Sequence, residues 1–170
     1  MKIILETERL VLREFTIHDT QFIIELLNSP GWLKYIGNRN IETEEQAAIY
    51  LQNGPLKSYE VNGFGLSLVV MKNNNTPIGM CGILKRDNLD NPDIGFAFLP
   101  DFTGKGFAFE IANATMNFAK DTLLLPKILA ITVPTNQPSI NLLEKIGLKF
   151  ISNFSFPNSA EQLMLFSNKV

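Results

Sequence analysis

The most constraining stretch of this chain is an apolar run at 94–99, then Phe102-Thr103-Gly104-Lys105-Gly106-Phe107-Ala108, then the longest helical pattern in the sequence. A strand that turns through two closely spaced glycines into a long helix fixes a β-to-α transition in mid-chain. Gly104 and Gly106 let the backbone adopt conformations that a Cβ forbids, so several amide hydrogens can converge on one phosphate. First-turn N–H groups and the positive end of the helix dipole add to that attraction. The loop reads as an anion cradle, with a plain strand-to-helix turn as the alternative. A P-loop requires a Gly-Lys-Ser/Thr end, and the order Gly104-Lys105-Gly106-Phe107 does not supply it. A dinucleotide fingerprint wants a third small residue at 109, which is Phe109, and belongs in the first strand-helix unit. An acyl-CoA pyrophosphate remains.

Around this centre the chain reads as one mixed α+β domain spanning 1–170. Residues 10–15 form a first strand. Thr16 and Asp19 then give a Thr-x-x-Asp capping pattern, and Phe22, Ile23, Leu26 and Leu27 line one helix face up to Ser29-Pro30-Gly31. Thr43-Glu44-Glu45-Gln46 is a second capping box, opening a helix that ends at Asn53-Gly54-Pro55. Residues 32–40, with Trp32, Lys34, Tyr35 and Arg39, show neither period; they are a packed connector or a loop touching substrate. Apolar runs at 64–71, 77–84 and 93–99, separated by Asn/Asp-rich turns, predict an antiparallel meander. In the helix after the cradle, Phe107, Ile111, Ala114, Thr115 and Phe118 form the predicted apolar face. Residues 127–133 should pair parallel to the fourth strand through the crossover helix. A helix capped by Asn136 or Gln137 and closed by Gly147 follows, then strands at 149–154 and 162–166. The expectation is a mostly antiparallel twisted sheet of six to seven strands, with a parallel pair at strands 4 and 5 and about four flanking helices.

Composition excludes several classes. With 170 residues a chain buries roughly 70% of its unfolded surface and needs no staple, and a single Cys and a single His leave no disulfide or closed zinc site. A formal net charge of −2 without a Lys/Arg cluster argues against nucleic acid. The opening Met1-Lys2-Ile3-Ile4-Leu5-Glu6 reaches an acid too early for a signal peptide, and no apolar stretch approaches a membrane span, so a cytoplasmic protein is expected.

Three stretches resemble one family, the GNAT N-acetyltransferases. Thr7-Glu8-Arg9-Leu10-Val11-Leu12-Arg13 resembles the opening of the branch containing ribosomal-protein N-terminal (alanine/serine) acetyltransferases. The central loop resembles the family's acyl-CoA signature, Gln/Arg-x-x-Gly-x-Gly/Ala, with Thr103 in place of the Gln or Arg. The third stretch, running from Asn136-Gln137-Pro138-Ser139 to Glu144-Lys145-Ile146-Gly147-Leu148, resembles the branch's Asn-x-x-Ser helix and its Glu-Lys-x-Gly-Phe ending. Leu143 holds the position of the tyrosine that protonates the thiolate in many relatives, so that role does not carry over.

The resemblance implies direct attack of an amine on the thioester of acetyl-CoA, the co-substrate, with no metal and no covalent enzyme intermediate. Thr103, Gly104, Lys105, Gly106, Phe107, Ala108 and Asn136 would hold the cofactor, and backbone donors at Phe96, Ala97 and Phe98 would stabilise the oxyanion. Asp93 would take the amine proton, or is a turn aspartate; Ser139 would hydrogen-bond the CoA sulfur, or only starts its helix. A Lys-type amine of pKa about 10.4 gives up roughly three pK units at neutral pH, whereas an α-amine near 7.8 gives up about one. Trp32 and Tyr35 would wall the acceptor, favouring a protein or peptide N-terminus. A polyamine or aminoglycoside acetyltransferase and a non-catalytic acyl-CoA-binding module are the alternatives, in a monomer or homodimer. His18, in a first helical turn, and Cys81, on a buried strand, are read as structural.

Overall fold

The computed structural model describes residues 2–169. Its centre is an eight-stranded sheet, in the order β1-β2-β3-β4-β5-β6-β8-β7. The strands are β1 (Ile3–Glu6), β2 (Leu10–Arg13), β3 (Leu66–Met71), β4 (Pro77–Leu84), β5 (Asp93–Phe98), β6 (Leu129–Thr132), β7 (Lys149–Phe154) and β8 (Leu163–Ser167). All neighbours are antiparallel except β5 and β6, whose parallel register is the single pairing of Asp93 with Leu129. The mixed sheet and its one parallel pair follow the sequence reading; the strand count does not. The additional strand is β1, an edge strand of four residues that is too short to show alternation. It makes the parallel pair the fifth and sixth strands rather than the fourth and fifth.

The central strands are apolar on both faces because helices cover both. Leu68, Val70 and Met80 pack with Phe22, Ile23, Leu26 and Leu27 of α1 (Thr20–Leu27), while Val69 and Cys81 pack with Ile111 and Ala112. The alternation at 68, 69 and 70 is the period of two of a strand buried on each side. Each fully buried Leu, Ile or Phe of these two layers contributes about 1.5–3 kcal/mol.

The helices deviate from the sequence reading at three places, each with a local cause. The connector contains α2 (Pro30–Tyr35): Pro30, read as a stop, sits at the first turn, where its missing N–H costs nothing. Helix α3 (Glu44–Leu51) does begin with the Thr43/Gln46 capping box, but it does not end at Gly54-Pro55. A π-helical turn over Gln52–Leu56 takes up the proline, the Lys57 N–H reaching back to the Gln52 carbonyl, and α4 (Lys57–Asn62) continues to Gly63. The wider turn relieves the clash that a proline ring makes in an α-helix. Thr16 caps nothing; its N–H donates to Asp19 Oδ2 at 2.7 Å, and Asp19 receives both Arg13 terminal nitrogens at 2.9 and 2.7 Å. Asp19 itself precedes α1.

Helix α5 (Phe107–Asp121) crosses between β5 and β6. Its buried face is Phe107, Ile111, Ala112, Thr115, Met116 and Ala119, rotated from the expected stripe, so that Ala114 and Phe118 are only half-buried. Helix α6 (Gln137–Lys145) starts as read, with Asn136 Oδ1 accepting from the Ser139 N–H at 3.2 Å and Gly147 left-handed at φ 95°.

Candidate active site

The cradle loop leaves β5 through a 3-10 turn at Pro100–Phe102 and enters α5 at Gly106. Gly104 and Gly106 have φ of 70° and 81°, the left-handed region where a Cβ is strained, and that requirement explains both glycines. The first helical hydrogen bond runs from the Glu110 N–H to the Gly106 carbonyl, so the N–H groups of Phe107, Ala108 and Phe109 lack a helix acceptor. Thr103, Gly104, Lys105 and Gly106 are exposed, while Phe107 is buried beneath them.

A clamp from the start of the chain holds this loop. Glu110 Oε1 accepts from Thr7 Oγ1 at 2.6 Å and from the Arg9 N–H at 2.9 Å, and Oε2 accepts from Arg9 Nε at 2.6 Å. Arg9 Nη1 donates to the Lys105 carbonyl at 3.3 Å, and its guanidinium lies 4.4 Å from the centre of the Phe107 ring. Burial pushes the Glu110 carboxyl up, but the hydrogen bonds from Thr7 and Arg9 and the Arg9 charge outweigh it and leave the group below its ordinary value. The Thr7-Glu8-Arg9 motif thus has a physical task that sequence reading did not assign. Its signal was a conspicuous polar opening without a partner nearby in sequence.

Beside the parallel pair lies a cavity of about 480 Å³. It brings together Trp32, Tyr35, Asp93, Phe96, Ala97, Asn136 and Ser139, all singled out from sequence and drawn from α2, β5 and α6. Phe98 and the 103–108 loop lie outside its lining; Phe98 covers Gly79 on β4 instead. In β5 every second N–H points away from β4, and β6 pairs with it only at Asp93, so the strands part beside Phe96 and Ala97.

Asp93 is 1% exposed, and Arg86 Nε donates to both of its oxygens at 3.0 Å. Burial raises the carboxyl above the usual carboxylate range, with Arg86 pulling the other way. A buried carboxylate of raised pKa is a better proton acceptor than a surface one. In sequence Arg86 is only one residue of the turn between the runs at 77–84 and 93–99; the pairing of Leu84 with Asp93 across the β4–β5 hairpin is what brings it to the carboxylate. The Ser139 side chain is half-buried in the cavity, and its hydroxyl is absent from the hydrogen bonds among the described residues.

Trp32 is 7% exposed and belongs to the core beside α1, as a packed connector requires, and it lines the cavity at the same time. Tyr35 is half-buried, with Lys34 Nζ 4.8 Å from its ring centre. Arg39 of the same connector lines the cavity too, as do Tyr50 of α3 and Glu161, which only distance in sequence hid. Cys81 is fully buried and its thiol is pushed up to about 12 by desolvation, in keeping with a core role. Among the described residues no group of three or more His, Cys, Asp or Glu is placed to hold a metal, and no helix is long and apolar enough to cross a membrane.

A family model described as an acetyltransferase (GNAT) domain matches residues 9–149. The chain belongs to the GNAT family. Its chemistry is that of an N-acetyltransferase, and GNAT enzymes use acetyl-CoA as co-substrate and acetylate amines. The chain is 29% identical over 143 residues to YnaD, an uncharacterized N-acetyltransferase of Bacillus subtilis, covering 84% of this chain and 81% of that one. Its fold superposes on a ribosomal-protein-S5-alanine acetyltransferase from Vibrio fischeri with a TM-score of 0.80 at 20% identity, covering 98% and 96% of the two chains. It also superposes on a variant of a spermidine N-acetyltransferase from Vibrio cholerae, with a TM-score of 0.70 at 22% identity and coverage of 93% and 92%. At these identities the two structures speak for the GNAT fold.

Proposed function

We propose that this GNAT enzyme moves the acetyl group of acetyl-CoA to the α-amine of a protein or peptide N-terminus. The observation that carries the acceptor is the charge of the cavity. Its lining holds Arg39 and Arg86 against Asp93 and Glu161, and Asp93 is already matched by Arg86. A polyamine or an aminoglycoside carries several positive charges and calls for a surplus of carboxylates. This cavity has none, and its aromatic walls suit an extended chain.

The chain's residues divide the work. The cradle, with Gly104 and Gly106 left-handed, offers the N–H groups of Phe107, Ala108 and Phe109 to the pyrophosphate, clamped in place by Thr7 and Arg9. The backbone N–H groups of β5 that face the gap toward β6 receive the thioester oxygen, which becomes an oxyanion. The acceptor nitrogen attacks the thioester carbon, an N–C bond forms, and Asp93 takes the nitrogen's proton directly or through water. The C–S bond then breaks, and the Ser139 hydroxyl hydrogen-bonds the departing sulfur. Because an α-amine is only about one pK unit from neutrality at pH 7, one carboxylate suffices as base.

The test is release of free thiol from acetyl-CoA with N-terminal peptides, spermidine and an aminoglycoside as acceptors. Peptides should give the highest kcat/KM. Spermidine or an aminoglycoside exceeding every peptide would overturn the acceptor, and acetyl-CoA binding without release from any amine would leave a binding module.

A further inference from the structure

The cavity holds more hydrogen-bond donors than acetyl transfer employs. Arg86 spends only Nε on Asp93, and its terminal nitrogens make no hydrogen bond among the described residues. Arg39, exposed and lining the cavity, forms no ion pair among the described residues. The Tyr50 hydroxyl, lying within reach of both the Arg39 and Arg86 charges, makes no hydrogen bond among the described residues either. The Trp32 indole N–H is itself buried and has no acceptor among the described residues. The Arg39, Arg86 and Tyr50 donors open to the cavity, so an acceptor bound there can take up their hydrogen bonds without displacing a protein partner.

The charges agree. Around Tyr50 two guanidinium groups face one carboxylate, Asp93; the other carboxylate of the lining, Glu161, arrives from the connection between β7 and β8. A guanidinium fork is suited to a carboxylate, which it can bind through two parallel hydrogen bonds. We infer that the Tyr50 end of the cavity, with Arg39 and Arg86, is an anion subsite, and that the acceptor amine belongs to a molecule that also carries a carboxylate. The inference rests on the acetyl-transfer reading for the amine, and on the donors alone for the anion. A peptide with an acidic residue at its second or third position and a free amino acid share this chemistry. A polyamine lacks it and is repelled.

The experiment is calorimetry on the full chain with CoA present, so that nothing turns over. The ligands are a tripeptide amide with glutamate second, its glutamine twin, free glutamate and spermidine. The glutamate peptide should bind about tenfold more tightly than its twin, the size of one charge-assisted hydrogen bond. That preference should shrink with added salt, survive in part in Arg39→Lys and fall to near unity in Arg39→Gln. Equal binding of the twins, an unchanged preference in Arg39→Gln, or tighter binding of spermidine would overturn the subsite. Binding of free glutamate as tight as that of the peptide would assign the carboxylate to a free amino acid. Thiol release from acetyl-CoA with the same ligands reads the transfer separately, so the subsite can stand where the proposed reaction falls.

Discussion

The cradle at Gly104 and Gly106 is one contiguous stretch whose shape lies in its backbone, whereas the cavity at Asp93 takes its walls from α2, α3, β4, β5, β6, α6 and the β7–β8 connection. In the proposed reaction the first offers main-chain amides to a ligand, the second side chains. A backbone site tolerates most substitutions and fails where a conformation is forbidden; a side-chain site changes its preference with each residue. One enzyme can therefore keep its acyl donor constant while its acceptor drifts.

Four variants sharpen that contrast. The largest effect belongs to Gly106→Val. At φ 81° a β-branched residue is strained whatever the space around it, and its Cβ would meet the Arg9 Nη2 that clamps the loop at 3.4 Å. Acetyl-CoA affinity should fall about a hundredfold, the worth of two lost charge-assisted hydrogen bonds. The left-handed conformation adds about 1–2 kcal/mol of instability, seen as a lower Tm. An unaltered Kd would move the pyrophosphate elsewhere.

Asp93→Asn should lower turnover about a hundredfold at neutral pH, with partial recovery as pH rises toward the acceptor pKa. Stability should move the other way. Burial raises Asp93 above its ordinary 3.8, so the folded state binds the proton more tightly than the unfolded one, and stability falls as pH rises through that window. The amide removes this penalty, and Arg86, 38% exposed, is not stranded. The variant's Tm at pH 7 should equal or exceed that of the wild type; a large drop would make the pair structural.

Glu110→Gln tests the clamp: the KM for acetyl-CoA should rise about fivefold, with kcat and the acceptor KM nearly constant. Glu110 lies below its ordinary 4.5 when folded, so its contribution is complete above that value and is lost as pH falls through the folded pKa. As pH falls below 4.5 and through the folded pKa, Tm should therefore fall further in the wild type than in the variant. The smallest effect is that of Trp32→Phe, which keeps a ring but trims the cavity wall that Trp32 lines; the acceptor KM should rise about threefold with the acetyl-CoA KM unchanged. Trp32→Ala is less informative, because emptying a core site costs about 3–5 kcal/mol and confounds packing with binding.

The same contrast governs what the sequence could tell. Gly104, Gly106, the Asn136 cap and the left-handed Gly147 were legible because each is a local demand on backbone geometry. The apolar strands were legible because burial on both faces leaves an unbroken run. Helix α2 was not, since six residues hold less than two turns of periodicity and Pro30 opens a helix as readily as it ends one. Pro55 misled for a related reason, its π-turn being a tertiary accommodation. Arg86, Tyr50 and Arg39 were invisible as a group because only folding brings them to one cavity. Trp32 was legible as a candidate, with packing as one of two readings.

The clamp also has a consequence for the order of events during synthesis. Arg9 and its partner Glu110 are separated by 101 residues, and Thr7 and Glu110 by 103. At roughly 5–20 residues per second the ribosome releases the first partner about 5–20 s before the second. Throughout that interval the amino-terminal hairpin carries an arginine with nothing to hold. The clamp cannot close until residue 110 has emerged, and a nascent chain stalled before that position should emerge unable to retain acetyl-CoA.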